Sequence, residues 1–74
     1  PIHAGTVAIQ IEGISPAGLA TWAFIVTVSP GELALDLDEE RGILVIHALD
    51  ARDPEAIRRR HLDFYAKYQR QVIP

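Results

Sequence analysis

The sequence lacks most of the features on which enzyme sites are built. Cysteine is absent from its 74 residues, so disulfides and thiolate metal sites are excluded. Ser15 and Ser29 are the only serines, and each stands beside a proline in a capping or turn context. No recognisable motif supplies a base for a nucleophile, and no glycine-rich phosphate loop occurs. We therefore predict that the domain is not an enzyme and binds no cofactor.

A long apolar run is also missing. The longest apolar-rich stretch, residues 17–28, has about 12 residues, whereas a helix that crosses a bilayer needs about 20. The chain begins with Pro1 rather than methionine, and no charged-then-apolar leader precedes Thr6. We expect one domain over residues 1–74, processed or cut from a longer chain.

Basic side chains are scarce in the first part of the chain, and acidic side chains are scarce in the last part. Residues 1–53 carry eight acidic and two basic side chains, residues 54–74 carry two acidic and five basic ones, and the net charge is −3. The basic end is either a solvated helix face or a surface for anionic lipid headgroups or an acidic partner. The acidic total argues against nucleic-acid binding. The candidates for a contact with lipid headgroups or an acidic partner are Arg58, Arg59, Arg60 and Lys67.

Residue periodicity predicts three strands. Residues 6–12 alternate between apolar and polar side chains, and one face carries Val7, Ile9 and Ile11. Residues 32–38 alternate in the same way, and the side chains expected to point inward are Leu33, Leu35 and Leu37. Residues 43–49 are apolar on both faces, which is typical of a central strand with both faces covered.

Two helices are predicted from their start signals and apolar spacing. Ser15 and Pro16 favour a helix start, and that helix, to about residue 27, is apolar on all sides. Asp53 and Pro54 start the second helix, which we expect to run to about Gln71. Its inner stripe is Ile57, His61, Phe64, Tyr65, Tyr68 and Val72. On such a stripe, His61 is expected to be a core or boundary histidine rather than a metal ligand.

The element order β-α-β-β-α indicates an α+β fold. The short acidic turn at residues 38–42 makes the second and third strands an antiparallel hairpin. A central third strand gives a three-stranded sheet in the order 1-3-2, and a right-handed crossover places the first helix on one face, where the second is expected to join it. The result is a ferredoxin-like split β-α-β unit that lacks its last strand.

Two polar features have open or weak interpretations. His47 lies in the central strand, where it can form a hydrogen bond to a neighbouring loop, contact a partner or sense protons, because histidine titrates near neutral pH. Acidic residues cluster at positions 36–40, but they lack the spacing and closing glutamate of a calcium loop. We expect no metal site there.

Three segments together resemble a known family. Ser-Pro-Gly at 29–31, the strand that follows, and Val-Ile-His-Ala-Leu-Asp at 45–50 are similar to the E subunit of the multisubunit monovalent cation/proton (Na+/H+) antiporters of the Mrp/Mnh type. The resemblance covers nearly the whole chain. Glu32 departs from it, because the family often has threonine at that position. The candidate motif or interface residues are Trp22, Phe24, Pro30, Gly31, His47, Leu49 and Asp50.

The resemblance implies a part of a membrane machine. These antiporters exchange Na+ or related cations for protons across the bacterial plasma membrane. A membrane portion is implied before residue 1, with this domain on the cytoplasmic face. The domain is then a non-catalytic scaffold whose partners are the other antiporter subunits, and no catalytic, cofactor or metal residue is implied. The alternative is a free-standing regulatory or small-ligand-binding α+β module.

The apolar surfaces of the predicted elements exceed what 74 residues can cover. A helix that is apolar on all sides and a strand that is apolar on both faces need further contacts. Open edges on the first and second strands also favour pairing with another chain. We therefore expect a homo-oligomer when the domain is isolated, most simply a twofold dimer.

Overall fold

The structure is a computed structural model that describes residues 3–74. It contains one sheet, with β3 between β1 and β2, and two helices. The predicted α+β fold and the strand order 1-3-2 are confirmed. In chain order the elements are β1 (Gly5–Gln10), α1 (Pro16–Val28), β2 (Glu32–Asp38), β3 (Ile43–Ala48), α2 (Pro54–Phe64) and a π-helical turn (Tyr65–Gln69).

The central strand pairs antiparallel with both neighbours. The β1 ladder runs without interruption from the pair Gly5–Ala48 to the pair Gln10–Ile43. The β2 ladder shifts by one residue between Ala34 and Asp36, which is a bulge at the intervening leucine. Because β1 and β2 are each antiparallel to β3, they are parallel to each other, as in a split β-α-β unit.

Both helices pack on the same face of the sheet. Alternate residues of β3 are buried beneath them, and those between are only half-buried. The central position of β3 is confirmed, but only one of its faces is covered. The largest fully buried side chains are Trp22, Ile9, Leu19, Leu44, Ile46 and Val26.

The orientation predicted for β2 is wrong at Leu33, before the bulge, and its leucines are less buried than predicted. Its three leucines are exposed by 47%, 52% and 44%: Leu33, Leu35 and Leu37. Leu33 lies opposite His47, on the face turned away from the helices, and the bulge then brings Leu37 opposite Leu44. Ala34 packs against the core instead. Alternation does not identify which face is buried, and a bulge shifts the alternation by one residue.

The α1 helix begins as predicted. Ser15 Oγ accepts the Gly18 N–H at 2.9 Å, and Pro16 lies in the first turn. None of its 13 residues is charged, and Phe24 and Val28 are exposed by 66% and 63%. Across residues 3–74, no helix combines the length and apolar character needed to cross a membrane.

The inner stripe of the second helix changes after Tyr65. The residues that are buried as predicted are Ile57, His61 and Tyr65. Tyr68 and Val72, however, are exposed by 66% and 75%, and Gln69 is buried in their place. From Tyr65 the backbone hydrogen bonds span five residues, as in a π-helix, and the Arg70 N–H donates to the Tyr65 carbonyl at 2.8 Å. The extra residue in this turn changes the phase of the side chains that follow.

Gly42 allows the chain to pass close to Ile11 before β3. Its φ is +67°, and a Cβ there would lie 2.4 Å from the Ile11 carbonyl oxygen. We expect Gly42→Ala to lower the free energy of unfolding by more than about 2 kcal/mol, because a left-handed backbone alone costs about 1–2 kcal/mol. Urea unfolding followed by the fluorescence of buried Trp22 measures the change.

Gly13→Ala is the matched control for this variant. Gly13 has a φ of +79°, and no atom lies within 4 Å of the position that its Cβ would take. We expect a loss of about 1–2 kcal/mol from the backbone conformation alone. Equal losses in the two variants would contradict a specific cost of the close approach at Gly42.

Candidate functional site

A buried polar network joins three elements of the fold. Trp22 Nε1, on α1, donates to His61 Nδ1, on α2, at 3.1 Å. His61 Nε2 lies 2.9 Å from Oε1 of Glu32, the first residue of β2, and Arg60 pairs with the other carboxylate oxygen. The side chains of His61 and Glu32 are only 8% and 7% exposed. We call Trp22, His61, Glu32 and Arg60 the buried polar network.

The hydrogen bonds of the network assign the protonation state of His61. An indole N–H can only donate, so Nδ1 of His61 is the acceptor and Nε2 carries the proton that points to Glu32. Burial lowers the pKa of His61, the Glu32 carboxylate opposes that effect, and nearby Arg60 adds to the lowering. The network therefore holds a neutral imidazole between the Trp22 indole and the Glu32 carboxylate. The polar groups of the network bind one another, and they thereby hold α1, α2 and β2 together.

Sequence reasoning anticipated part of this network. The prediction that His61 is a core or boundary histidine is confirmed. Trp22, a candidate interface residue, is completely buried, so it presents no surface to a partner. A buried indole and a buried imidazole each need a hydrogen-bond partner, so the contact between Trp22 and His61 could have been predicted from the sequence. Glu32 was missed because the inward face of β2 was assigned incorrectly.

Of the other motif residues, Gly31, His47 and Leu49 lie on the uncovered side of the sheet, and Pro30 and Asp50 are their neighbours in the chain, whereas Phe24 lies on α1, on the helix side. We call the side turned away from both helices the open face. The Leu49 N–H donates to the Gly31 carbonyl at 2.9 Å, which brings the two sequence motifs side by side. A shallow depression there is lined by Gly31, Glu32, Leu33, His47 and Leu49. From the strand register, the open face carries Thr6, Ala8, Gln10, Leu33, Asp36, Asp38, Ile43, Val45 and His47.

His47 lies at the middle strand of the open face. It is half-buried and stands between Thr6 on β1 and Leu33 on β2. Within residues 3–74, its ring makes no hydrogen bond to the protein, so one of the roles open to it, a hydrogen bond to a neighbouring loop, is not found. In the same part of the chain, no group of three or more histidine, aspartate or glutamate side chains is arranged to hold a metal ion.

Asp50 is tied to its own loop. Arg52 Nε donates to one carboxylate oxygen at 2.8 Å, and a terminal guanidinium nitrogen lies 2.5 Å from the other. These hydrogen bonds from Arg52 lower the pKa of Asp50 to about 2. Both side chains are exposed, so the pair shapes the loop beside the open face and adds little stability.

The four basic candidates do not form one free cationic face. Arg58 pairs with Glu55 and donates to the Ala8 carbonyl of β1 at 3.0 Å, and Arg60 belongs to the buried polar network. Arg59 and Lys67 are exposed. They line a shallow groove on the outer side of α2, together with Ala56, Arg60, Asp63, Phe64 and Tyr68.

Comparison with known proteins identifies the family. The model of a family described as "Na+/H+ ion antiporter subunit" matches residues 1–72. The chain belongs to this family of antiporter subunits. The resemblance to the E subunit of these antiporters is therefore confirmed. Among curated proteins, the E subunit of the Na(+)/H(+) antiporter of Bacillus subtilis (strain 168) is 33% identical over 54 residues.

The relatives of this antiporter-subunit chain are longer than the chain itself. The match to the Bacillus protein covers 73% of this chain and 34% of that protein, so the chain spans about a third of its relative. A chain in the solved structure of an Mrp complex from Dietzia sp. DQ12-45-1b superposes with a TM-score of 0.79. That match covers 99% of this chain and 70% of the other, at 21% identity. At this identity the likeness establishes a shared fold.

We expect acid to destabilise the domain through His61. Its pKa in the folded chain is below the value of 6.5 that it regains on unfolding. The unfolded state therefore binds more protons, so this contribution to stability is complete above about pH 6.5 and is lost as the pH falls below it. A protonated Nδ1 would also oppose the Trp22 N–H. Urea unfolding at pH 7.5 and pH 5, followed by Trp22 fluorescence, measures the effect.

His61→Gln is the control that separates titration from packing. A glutamine amide can accept from Trp22 and donate to Glu32, but it does not titrate. We expect this variant to lose less stability than the unchanged chain between pH 7.5 and pH 5. His3 and His47 are present in both chains, so their contributions cancel. The same loss in both chains would mean that His61 does not cause it.

Proposed function

We propose that this chain is a non-catalytic scaffold domain of the E subunit of a bacterial multisubunit monovalent cation/proton antiporter. In this proposal the domain lies on the cytoplasmic face of the plasma membrane and holds other antiporter subunits through its open face. Family membership supports the antiporter assignment. The observation that carries the scaffold role is a central strand with one face uncovered.

The open face has the composition of a docking surface. Ile43 and Val45 are half-buried at its centre, and Leu33 and Leu49 are exposed by 47% and 57% near one end. Polar side chains of the outer strands border this apolar centre. An apolar centre with a polar rim is the usual arrangement of a protein–protein interface. Covering it would complete the burial of β3.

The edges of the sheet are less suited to a partner than its face. The bulge at Leu35 interrupts the ladder of β2, and the Asp36 side chain accepts the N–H of the next residue, Leu37. At the other edge, Arg58 binds the Ala8 carbonyl of β1. Bulges and charged side chains at sheet edges hinder the addition of a further strand. A partner is therefore expected to pack across the face.

We also propose that the isolated domain pairs through this face with a second copy of itself. A twofold dimer would cover the same apolar centre that the other subunits cover in the complex. Light scattering at high protein concentration measures the mass. A monodisperse monomer would contradict this part of the proposal.

Leu33→Asp and Leu49→Asp test the role of the open face. In the full-length protein, each change places a charge in the proposed interface, and an unpaired buried charge is strongly unfavourable. We expect recovery of the neighbouring subunits on co-purification from membranes to fall at least about tenfold, since that needs only about 1.4 kcal/mol. Both leucines are exposed in the domain, so its circular dichroism should not change.

Leu62→Asp is the matched control for these two variants. Leu62 lies on α2, away from the open face, and is exposed by 38%. The same change there should leave assembly intact. If Leu33→Asp and Leu49→Asp also leave it intact, the open face is not the docking surface. If the complex assembles and exchanges ions normally after the whole domain is deleted, the scaffold role itself is wrong.

A further inference from the structure

Two grooves on the helix side of the molecule share one pair of aromatic rings. The rings of Phe64 and Tyr68 lie 5.5 Å apart, and we call this pair the aromatic ridge. The groove on one side of the ridge is basic and contains Arg59 and Lys67. The groove on the other side is apolar and contains Ile25 of α1, with residues Thr21, Val72 and Ile73.

The basic groove keeps cations available for a ligand. Within residues 3–74, neither Arg59 nor Lys67 has a carboxylate within 4 Å. Asp63 lies in the same groove and offsets one charge. Arg60 also lines it with 59% of its side chain exposed, while its partner Glu32 is buried. The groove therefore presents more positive than negative charge to solvent.

The apolar groove continues onto the surface of α1. That helix has no charged residue, and Phe24 and Val28, one turn apart, are exposed by 66% and 63%. On the other side of α1, a further groove extends around the edge strand β2 and contains Glu39. A negatively charged surface would be repelled there, so contact is restricted to the side that carries the aromatic ridge.

We propose that these paired grooves bind the headgroup layer of an anionic phospholipid membrane. Arg59 and Lys67 take the phosphate groups, Tyr68 lies at the level of the headgroups, and the apolar groove receives the upper part of an acyl chain. Tyrosine is enriched at this level of a bilayer, and long basic side chains extend to it. An acidic peptide would use the cations but leave the apolar groove bare, whereas a phospholipid engages both.

This site is separate from the docking surface proposed above. The open face lies on the opposite side of the sheet from α1 and α2, so either surface can be tested without the other. A domain that uses both would hold partner subunits on one side and rest on the membrane with the other.

Vesicle binding by this 74-residue chain tests the proposal. Phosphatidylcholine vesicles with about 30% phosphatidylglycerol are compared with phosphatidylcholine alone at low salt, by sedimentation. We expect binding to the anionic vesicles and about a fivefold loss for each of Arg59→Ser and Lys67→Ser, the effect typical of one basic residue near such a surface. Tyr68→Ser should also weaken binding. These side chains are exposed, so the circular dichroism should be unchanged.

Arg41→Ser is the matched control, because it removes the same charge from the β2–β3 turn, outside both grooves. It should bind vesicles like the unchanged chain. Three results would overturn the proposal. One is no binding to anionic vesicles, and another is an equal loss in Arg41→Ser. The third is binding to poly-glutamate but not to vesicles, which would identify an acidic protein as the partner.

Discussion

The hydrogen bond from Trp22 to His61 is the contact on which the arrangement of the helices depends. α1 is apolar throughout, and apolar packing alone is non-directional, so it does not fix how such a helix is rotated or where it lies along its neighbours. A buried N–H must find its acceptor, which favours the position of α1 that brings Trp22 to His61. Glu32 extends the constraint to β2, and the sheet and both helices are thereby held in one register.

That constraint places both helices on one side and leaves the domain with two unlike surfaces. The sheet side is apolar at its centre and polar around it, whereas the helix side combines exposed aromatic rings with cations. Many small α+β domains bury a sheet face under helices and leave the other to water. Here the second face of β3 carries Ile43 and Val45, which are half-buried, and this is the basis of the docking surface proposed above.

The sequence predicted the elements more reliably than the direction of their side chains. The doubly apolar residues 43–49 placed β3 at the centre, and capping residues located both helix starts. Leu33 of β2 was assigned to the wrong face because a period of two does not distinguish the faces, and the bulge then puts Leu37 opposite Leu44. Glu32 was missed for the same reason, since a carboxylate is not expected on an inward position. For the candidate site, the sequence indicated the two motifs that meet at Gly31 and Leu49. It did not indicate that, within residues 3–74, Arg58 and Arg60 are paired with carboxylates while Arg59 and Lys67 are not.

The π-helical turn has a consequence for how this chain aligns with its relatives. A turn of that width holds one residue more than the α-helix around it, as if a single residue had been inserted between Tyr65 and Gln69. A relative that lacks the inserted residue would continue as an unbroken α-helix with its following side chains in the same direction, because the wider turn and the extra residue offset each other. Its counterpart of Gln69 would stay in the core, but an alignment without a gap would pair positions about 100° apart, the rotation per residue of a helix with about 3.6 residues per turn, and so would compare inward with outward positions.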